Sequence, residues 1–107
     1  MLKGEPERAL ADLNRAIALN RKLDEAWDNR GVVWFLKEDF AQAIADFDEA
    51  LKLNSRQGDT YCSRGAALLA QDKHAEAEAD FARCRALGGA PKPNAEKLLL
   101  EMKGRKR

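Results

Sequence analysis

At 107 residues the chain has the length of one small domain, and its 45% hydrophobic and 35% charged residues fit a solvated surface around a real core. Nineteen basic side chains against 18 acidic ones leave a formal charge of +1, far from the basic profile of a nucleic-acid binder. No apolar run approaches the length needed to cross a membrane.

Strong helix formers dominate the composition and only three prolines interrupt them, so the expected fold is all-α. The sequence shows no charged-then-apolar leader, and a cytoplasmic location is expected. Cys62 and Cys84 make no disulfide framework for a chain of this size. They fall on the two helices of one predicted hairpin, and we read them as free thiols acting as small apolar groups.

In chain order, the first helix is expected over 5–20, with Pro6 at a first helical position and Glu5 and Glu7 at the positive end of the dipole. Ala9, Leu13, Ala16 and Ile17 line one of its faces. A second helix begins with Asp24 as N-cap and continues to about Lys37. Asp39 caps a third, with Gln42 completing a capping box, and this helix ends near Asn54. The fourth spans about 59–70. Asp72 caps a fifth that runs to Leu87, where Gly88 and Gly89 stop it. After Pro91 and Pro93, Asn94 caps a sixth, short helix over 95–103, carrying Leu98, Leu99 and Met102. The basic tail 104–107 follows. The turns are short enough to require antiparallel neighbours.

Pieces of this pattern recur at an offset of 34 residues. Trp27 falls on Tyr61, Arg30 on Arg64, Gly31 on Gly65, Ala43 on Ala77, Asp46 on Asp80 and Phe47 on Phe81. In the other direction Ala43, Asp46, Ala50, Leu53 and Asn54 fall on Ala9, Asp12, Ala16, Leu19 and Asn20. A fixed period of this size marks a solenoid, in which each helix pair must stack on a neighbour to bury its faces.

These residues resemble the tetratricopeptide repeat, a helix-turn-helix unit whose first helix carries an aromatic, a Leu-Gly pair and a second aromatic. Here those are Trp27, Gly31 and Trp34, with Arg30 in place of Leu. The second helix supplies Ala43, Phe47 and Ala50, with Ser55 where Pro is common. A weaker copy follows in Tyr61, Gly65, Leu68, Ala77, Phe81 and Cys84. The resemblance implies a right-handed α-α superhelix of antiparallel helix pairs with six helices in all. A half repeat would span 5–20, full repeats 24–57 and 58–91, and a capping helix 94–103.

In the resembled family the first helices line a concave groove. That places Glu25, Asp28, Asn29, Val32, Phe35, Leu36, Asp59, Cys62, Ser63, Ala66, Leu69 and Ala70 in a candidate peptide-binding groove with an apolar floor and an acidic rim. Phe35 is the expected anchor, because Trp27, Gly31 and Trp34 already claim the core face of its helix; packing against a neighbouring repeat is its competing reading. One branch of the family grips a C-terminal carboxylate with two Lys, two Asn and an Arg. Only Asn29 matches that set, so an acidic C-terminus is not the expected ligand. Arg30 and Arg64 are read as structural, each tied to one of the recurring aspartates Asp12, Asp46 and Asp80.

His74 stands alone with no second His and no close Cys, so no metal site is expected. No Gly-flanked Ser, triad or phosphate loop is present, so neither a catalytic residue nor a cofactor is expected. The expected function is a non-catalytic protein–protein interaction scaffold that binds a peptide segment, without nucleic acid or membrane. The alternative is a self-assembling repeat unit, or a fragment of a longer array. In that reading the face Ala9, Leu13, Ala16, which has no first helix to cover it, makes a homodimer.

Overall fold

The computed structural model describes residues 5–90. Five helices stand there: α1 (Glu5–Leu19), α2 (Asp24–Leu36), α3 (Phe40–Leu53), α4 (Gly58–Ala70) and α5 (His74–Ala86), with no strand among the described residues. The expected sixth helix, 95–103, and the basic tail lie outside the described residues. No described helix is long and apolar enough to cross a membrane.

Helix starts depart from expectation in two places. Asp39 caps α3 as its sequence position suggests, accepting a hydrogen bond from the Gln42 backbone N–H at 3.3 Å. Asp24 is instead the first residue of α2, after a Leu23 N-cap, and Lys73 rather than Asp72 precedes α5. Asp72 and its in-phase counterpart Glu38 both sit in the left-handed region, at φ 63° and 64°. Each ends a helix by sending its own N–H and that of the next residue back to carbonyls of the last turn, from Glu38 and Asp39 to Phe35 and Trp34 and from Asp72 and Lys73 to Leu69 and Leu68. The left-handed conformation costs a non-glycine residue about 1 kcal/mol, which the helix stop and immediate restart offset.

α2 packs on α3 and α4 on α5, while α3–α4 and α1–α2 contacts join successive pairs and α2 also touches α4. The pairs close tightly because each first helix carries a glycine under a phenylalanine. A Cβ at Gly31 would lie 2.5 Å from Phe47 Cε1, and one at Gly65 2.8 Å from Phe81 Cε1, so no larger residue fits either position without displacing the ring. Ala43, Phe47 and Ala50 are completely buried.

The period also organises the polar contacts. Trp27 Nε1 donates to the Arg21 carbonyl at 2.9 Å, and Tyr61 Oη to the Ser55 carbonyl at 3.0 Å, so each aromatic fixes the turn six residues before it. Arg30 gives Asp46 two hydrogen bonds of 2.8 Å and Asn14 a third of 2.9 Å. Arg64 repeats the arrangement with Asp80 at 2.8 and 3.0 Å and with Asp48 at 2.9 Å. Each arginine therefore ties its own helix pair to the preceding second helix. The hydrogen bonds to Asp46 and Asp80 raise the two guanidinium pKa values above normal against the opposing effect of burial. Both side chains stay charged at every accessible pH.

At the N-terminal end, Lys37 at the end of α2 hydrogen-bonds Glu7 of α1 and holds its carboxyl below the ordinary carboxylate value. That contribution is present above the ordinary value and lost as pH falls through the lowered one. Because the pair is exposed, it contributes little.

The cysteines contradict the sequence reading. Cys62 and Cys84 are joined in a disulfide, with Cα atoms 5.3 Å apart, and the described chain has no free thiol. The bridge is buried, with Cys62 7% and Cys84 0% exposed. Its physical basis is the hairpin itself: α4 and α5 hold the two positions face to face, as α2 and α3 hold the in-phase, equally buried Asp28 and Ala50. Closing a loop of this length restricts the unfolded chain by about 3 kcal/mol. Reduction with a thiol reductant is therefore expected to lower the thermal midpoint by ten degrees or more. Calorimetry of the oxidised and reduced chains checks this, and coincident melts would contradict it.

Candidate functional site

α2 and α4 were expected to present one face to a groove. They are instead buried around most of their circumference: in α4, Gly58, Thr60, Cys62, Ser63, Gly65, Ala66, Ala67 and Leu68 all lie inside. Phe35, the expected anchor, is 1% exposed. It shares a cluster with Val32, Ala43, Phe47, Ala66 and Ala67, and meets the Phe40 ring edge-on at 5.4 Å between centroids. The small residues of α4 admit Val32 and Phe35 into the contact between helix pairs, so the expected groove floor is core.

The other groove residues divide in the same way. Val32, Ser63 and Ala66 are buried, and Cys62 is consumed by its disulfide with Cys84. The Ser63 hydroxyl is buried without a hydrogen-bond partner. Asp28, placed on the rim by its helical position, is 3% exposed and accepts a 2.8 Å bond from Thr60 Oγ1, which links α2 to α4. Leu36, Leu69 and Ala70 are half-buried, while Glu25, Asn29 and Asp59 are exposed.

What the fold gathers is a polar cleft of about 270 Å³ where α2 and α4 begin, lined by Glu25, Asp28, Asn29 and Asp59 and closed by Leu87, Gly88 and Gly89 from the end of α5. Among the described residues no basic side chain lines it. Gly89 is needed at its far wall, because its backbone rests on Gly58 and a side chain there would strike the start of α4. Asp59 fixes that wall by accepting the Ala90 N–H at 2.8 Å. Sequence reasoning missed the contribution from α5, although the glycine pair that stops the helix was its visible signal.

Two wider depressions, of about 410 and 570 Å³, lie beside Asp48 and Arg64 toward the second helices. Arg64 and Arg83 there are already paired with Asp48 and Asp80. Among the described residues no group of His, Cys, Asp and Glu is arranged to hold a metal ion.

Stacked helix pairs with an inherited 34-residue register define a helical-hairpin repeat protein. The tetratricopeptide repeat model matches residues 24–56, the α2–α3 pair. The second tetratricopeptide domain of Spaghetti (RPAP3), solved with the HSP90 peptide SRMEEVD, is 26% identical with a TM-score of 0.76, and the match covers 79% of each chain. The first such domain of the same protein, bound to the same peptide, is 25% identical at a TM-score of 0.77 over 96% of this chain and 81% of that one. MamA is 25% identical at a TM-score of 0.75, covering 79% of this chain and 50% of that protein. A search of curated proteins returned no match.

Proposed function

We propose that this chain is a non-catalytic interaction scaffold that binds a basic peptide segment of a protein partner in the cleft lined by Glu25, Asn29 and Asp59. The observation that carries this reading is the cleft's charge: among the described residues three carboxylates and no cation line it. Two similar structures hold SRMEEVD, a peptide with three acidic residues and one arginine. In this chain the sign is reversed, which favours Lys or Arg side chains and rejects an acidic ligand. Repetition of the same stacking generates the right-handed superhelix of longer arrays. Stacked repeats of this kind present a rigid surface, which keeps the ordering cost of binding low.

The Cys62–Cys84 bridge favours an oxidising compartment over the cytoplasm.

The test is a peptide-display selection on the intact chain and on a Glu25→Lys/Asp59→Lys double variant. Selected peptides are expected to be Lys- and Arg-rich and to lose affinity tenfold or more for the variant; both substituted side chains are exposed, and circular dichroism checks that the helices persist once Asp59 no longer accepts the Ala90 N–H. Equal enrichment of neutral or acidic peptides contradicts the reading.

A further inference from the structure

The hairpins α2–α3 and α4–α5 are in phase, and at the end away from their connecting turns they close differently. In the first, Asn54 Nδ2 donates to Asp24 Oδ2 at 3.1 Å across that end, and Ala50 and Leu51 are both buried in the last turn of α3. In the second, the same four positions are Gly88, Gly58, Cys84 and Arg85. The two glycines have no side chains with which to make the latch, and Arg85 is exposed. Cys84 is therefore the one buried residue in the last turn of α5. Among the described helices α5 packs on α4 alone.

The far wall of the acidic cleft depends on that residue. The Cys84 carbonyl accepts the N–H groups of Leu87 and Gly89, at 3.2 and 2.8 Å, and so shapes the turn that brings Leu87, Gly88 and Gly89 to the cleft. On the α4 side, Cys62 stands one helical turn after Gly58 and Asp59. The disulfide thus joins the two sides of the cleft one turn inside its rim. What else holds the wall is the contact of Gly89 on Gly58 and the exposed hydrogen bond from Ala90 to Asp59. A helix end held only by such exposed backbone contacts opens at little cost.

We infer, taking that cleft as the peptide site, that the Cys62–Cys84 bridge controls it. The oxidised chain holds the α5 wall in place and binds the basic segment; in the reduced chain the wall frays and binding is weak. Opening the bridge takes two electrons and two protons from a dithiol. A thiolate of the dithiol attacks the Cys62 sulfur, since Cys62 is 7% and Cys84 0% exposed, and Cys84 leaves and takes a proton. The second thiol of the reductant, deprotonated, then displaces Cys62, leaving two cysteine thiols and the reductant's own disulfide. α1, α2 and α3 carry no cysteine, and the Asn54–Asp24 latch is untouched by the exchange.

The test combines amide hydrogen exchange and peptide titration on the intact chain, oxidised and then treated with dithiothreitol, well below the thermal midpoint of the reduced form. On reduction, exchange at Gly89 and Ala90 is expected to rise tenfold or more while Ala50 and Asn54 stay protected. The dissociation constant for a Lys/Arg-rich peptide should rise tenfold or more, and reoxidation should restore both. Cys62→Ala/Cys84→Ala should behave like the reduced chain with or without reductant; the buried Ala50 shows that alanine fits the place of Cys84. Unchanged exchange at Gly89 and Ala90 would overturn the proposal. So would exchange rising equally at Asn54, which makes the bridge a support of the whole array. Equal peptide affinity in the two states would also overturn it and leave the peptide reading intact. An oxidised chain that binds no basic peptide, while exchange at Gly89 and Ala90 still follows the bridge, would refute the peptide reading and support the coupling of bridge to wall.

Discussion

Replacing Phe35 by alanine is expected to destabilise the chain by about 3–5 kcal/mol, a large fraction of the roughly 5–15 kcal/mol that holds a small domain together. The ring is 1% exposed and belongs to the cluster in which α2, α3 and α4 meet, so its loss leaves a cavity that Val32, Phe40 and Ala66 cannot collapse into without moving whole helices. The same change at a groove anchor would weaken ligand binding and leave the melting curve in place. Chemical denaturation of Phe35→Ala separates the two roles: a midpoint close to wild type would return Phe35 to the surface. Phe35→Leu, which keeps most of the apolar volume, should recover much of the loss.

The second large effect is a series across the three in-phase aspartates. Asp80→Ala removes a carboxylate that is 1% exposed and receives both Arg64 and Arg83, leaving the partly buried Arg64 guanidinium with Asp48 and its place 5.6 Å from the centre of the Tyr61 ring. Stranding a charge in this way costs about 2–4 kcal/mol, somewhat below the range for a fully buried pair because Arg64 keeps one partner and some solvent. Asp46→Ala should cost less or about the same, since Arg30 retains Asn14 and its place 4.9 Å from the centre of the Trp27 ring. Asp12→Ala, at an exposed position, should change the denaturation midpoint by no measurable amount. Equal losses at all three positions would show that the aspartates act on the isolated helices and not through the arginine clasps.

The sequence makes the scaffold legible because the scaffold repeats. Gly31 under Phe47, Gly65 under Phe81, and the Arg30–Asp46 and Arg64–Asp80 pairs each occur at one fixed offset, and a feature present twice in phase reports a shared packing role. The groove did not repeat, and there the reading failed. Phe35 has Leu69 as its counterpart, and Asp28 has Cys62. Helical position and the family resemblance assigned all four to a concave face, but Ser63, Ala66 and Ala67 are small enough to let α4 draw in. The Thr60–Asp28 bond and the Cys62–Cys84 bridge are likewise single events. Each joins residues whose in-phase counterparts do something else, so the period hides them. The exposed rim residues Glu25, Asn29 and Asp59 could be read from position because they need only point outward.

If the acidic cleft is the binding surface, the peptide it prefers is opposite in charge to the SRMEEVD peptide bound by similar repeats. Parallel titrations of the intact, oxidised chain with a Lys/Arg-rich peptide and with SRMEEVD, followed by amide chemical shifts, test it directly. Saturable shifts are expected at Glu25, Asn29, Asp59 and Gly88 with the basic peptide, weakening as salt is raised, and none there with SRMEEVD. Tighter binding of SRMEEVD at those same residues would contradict it.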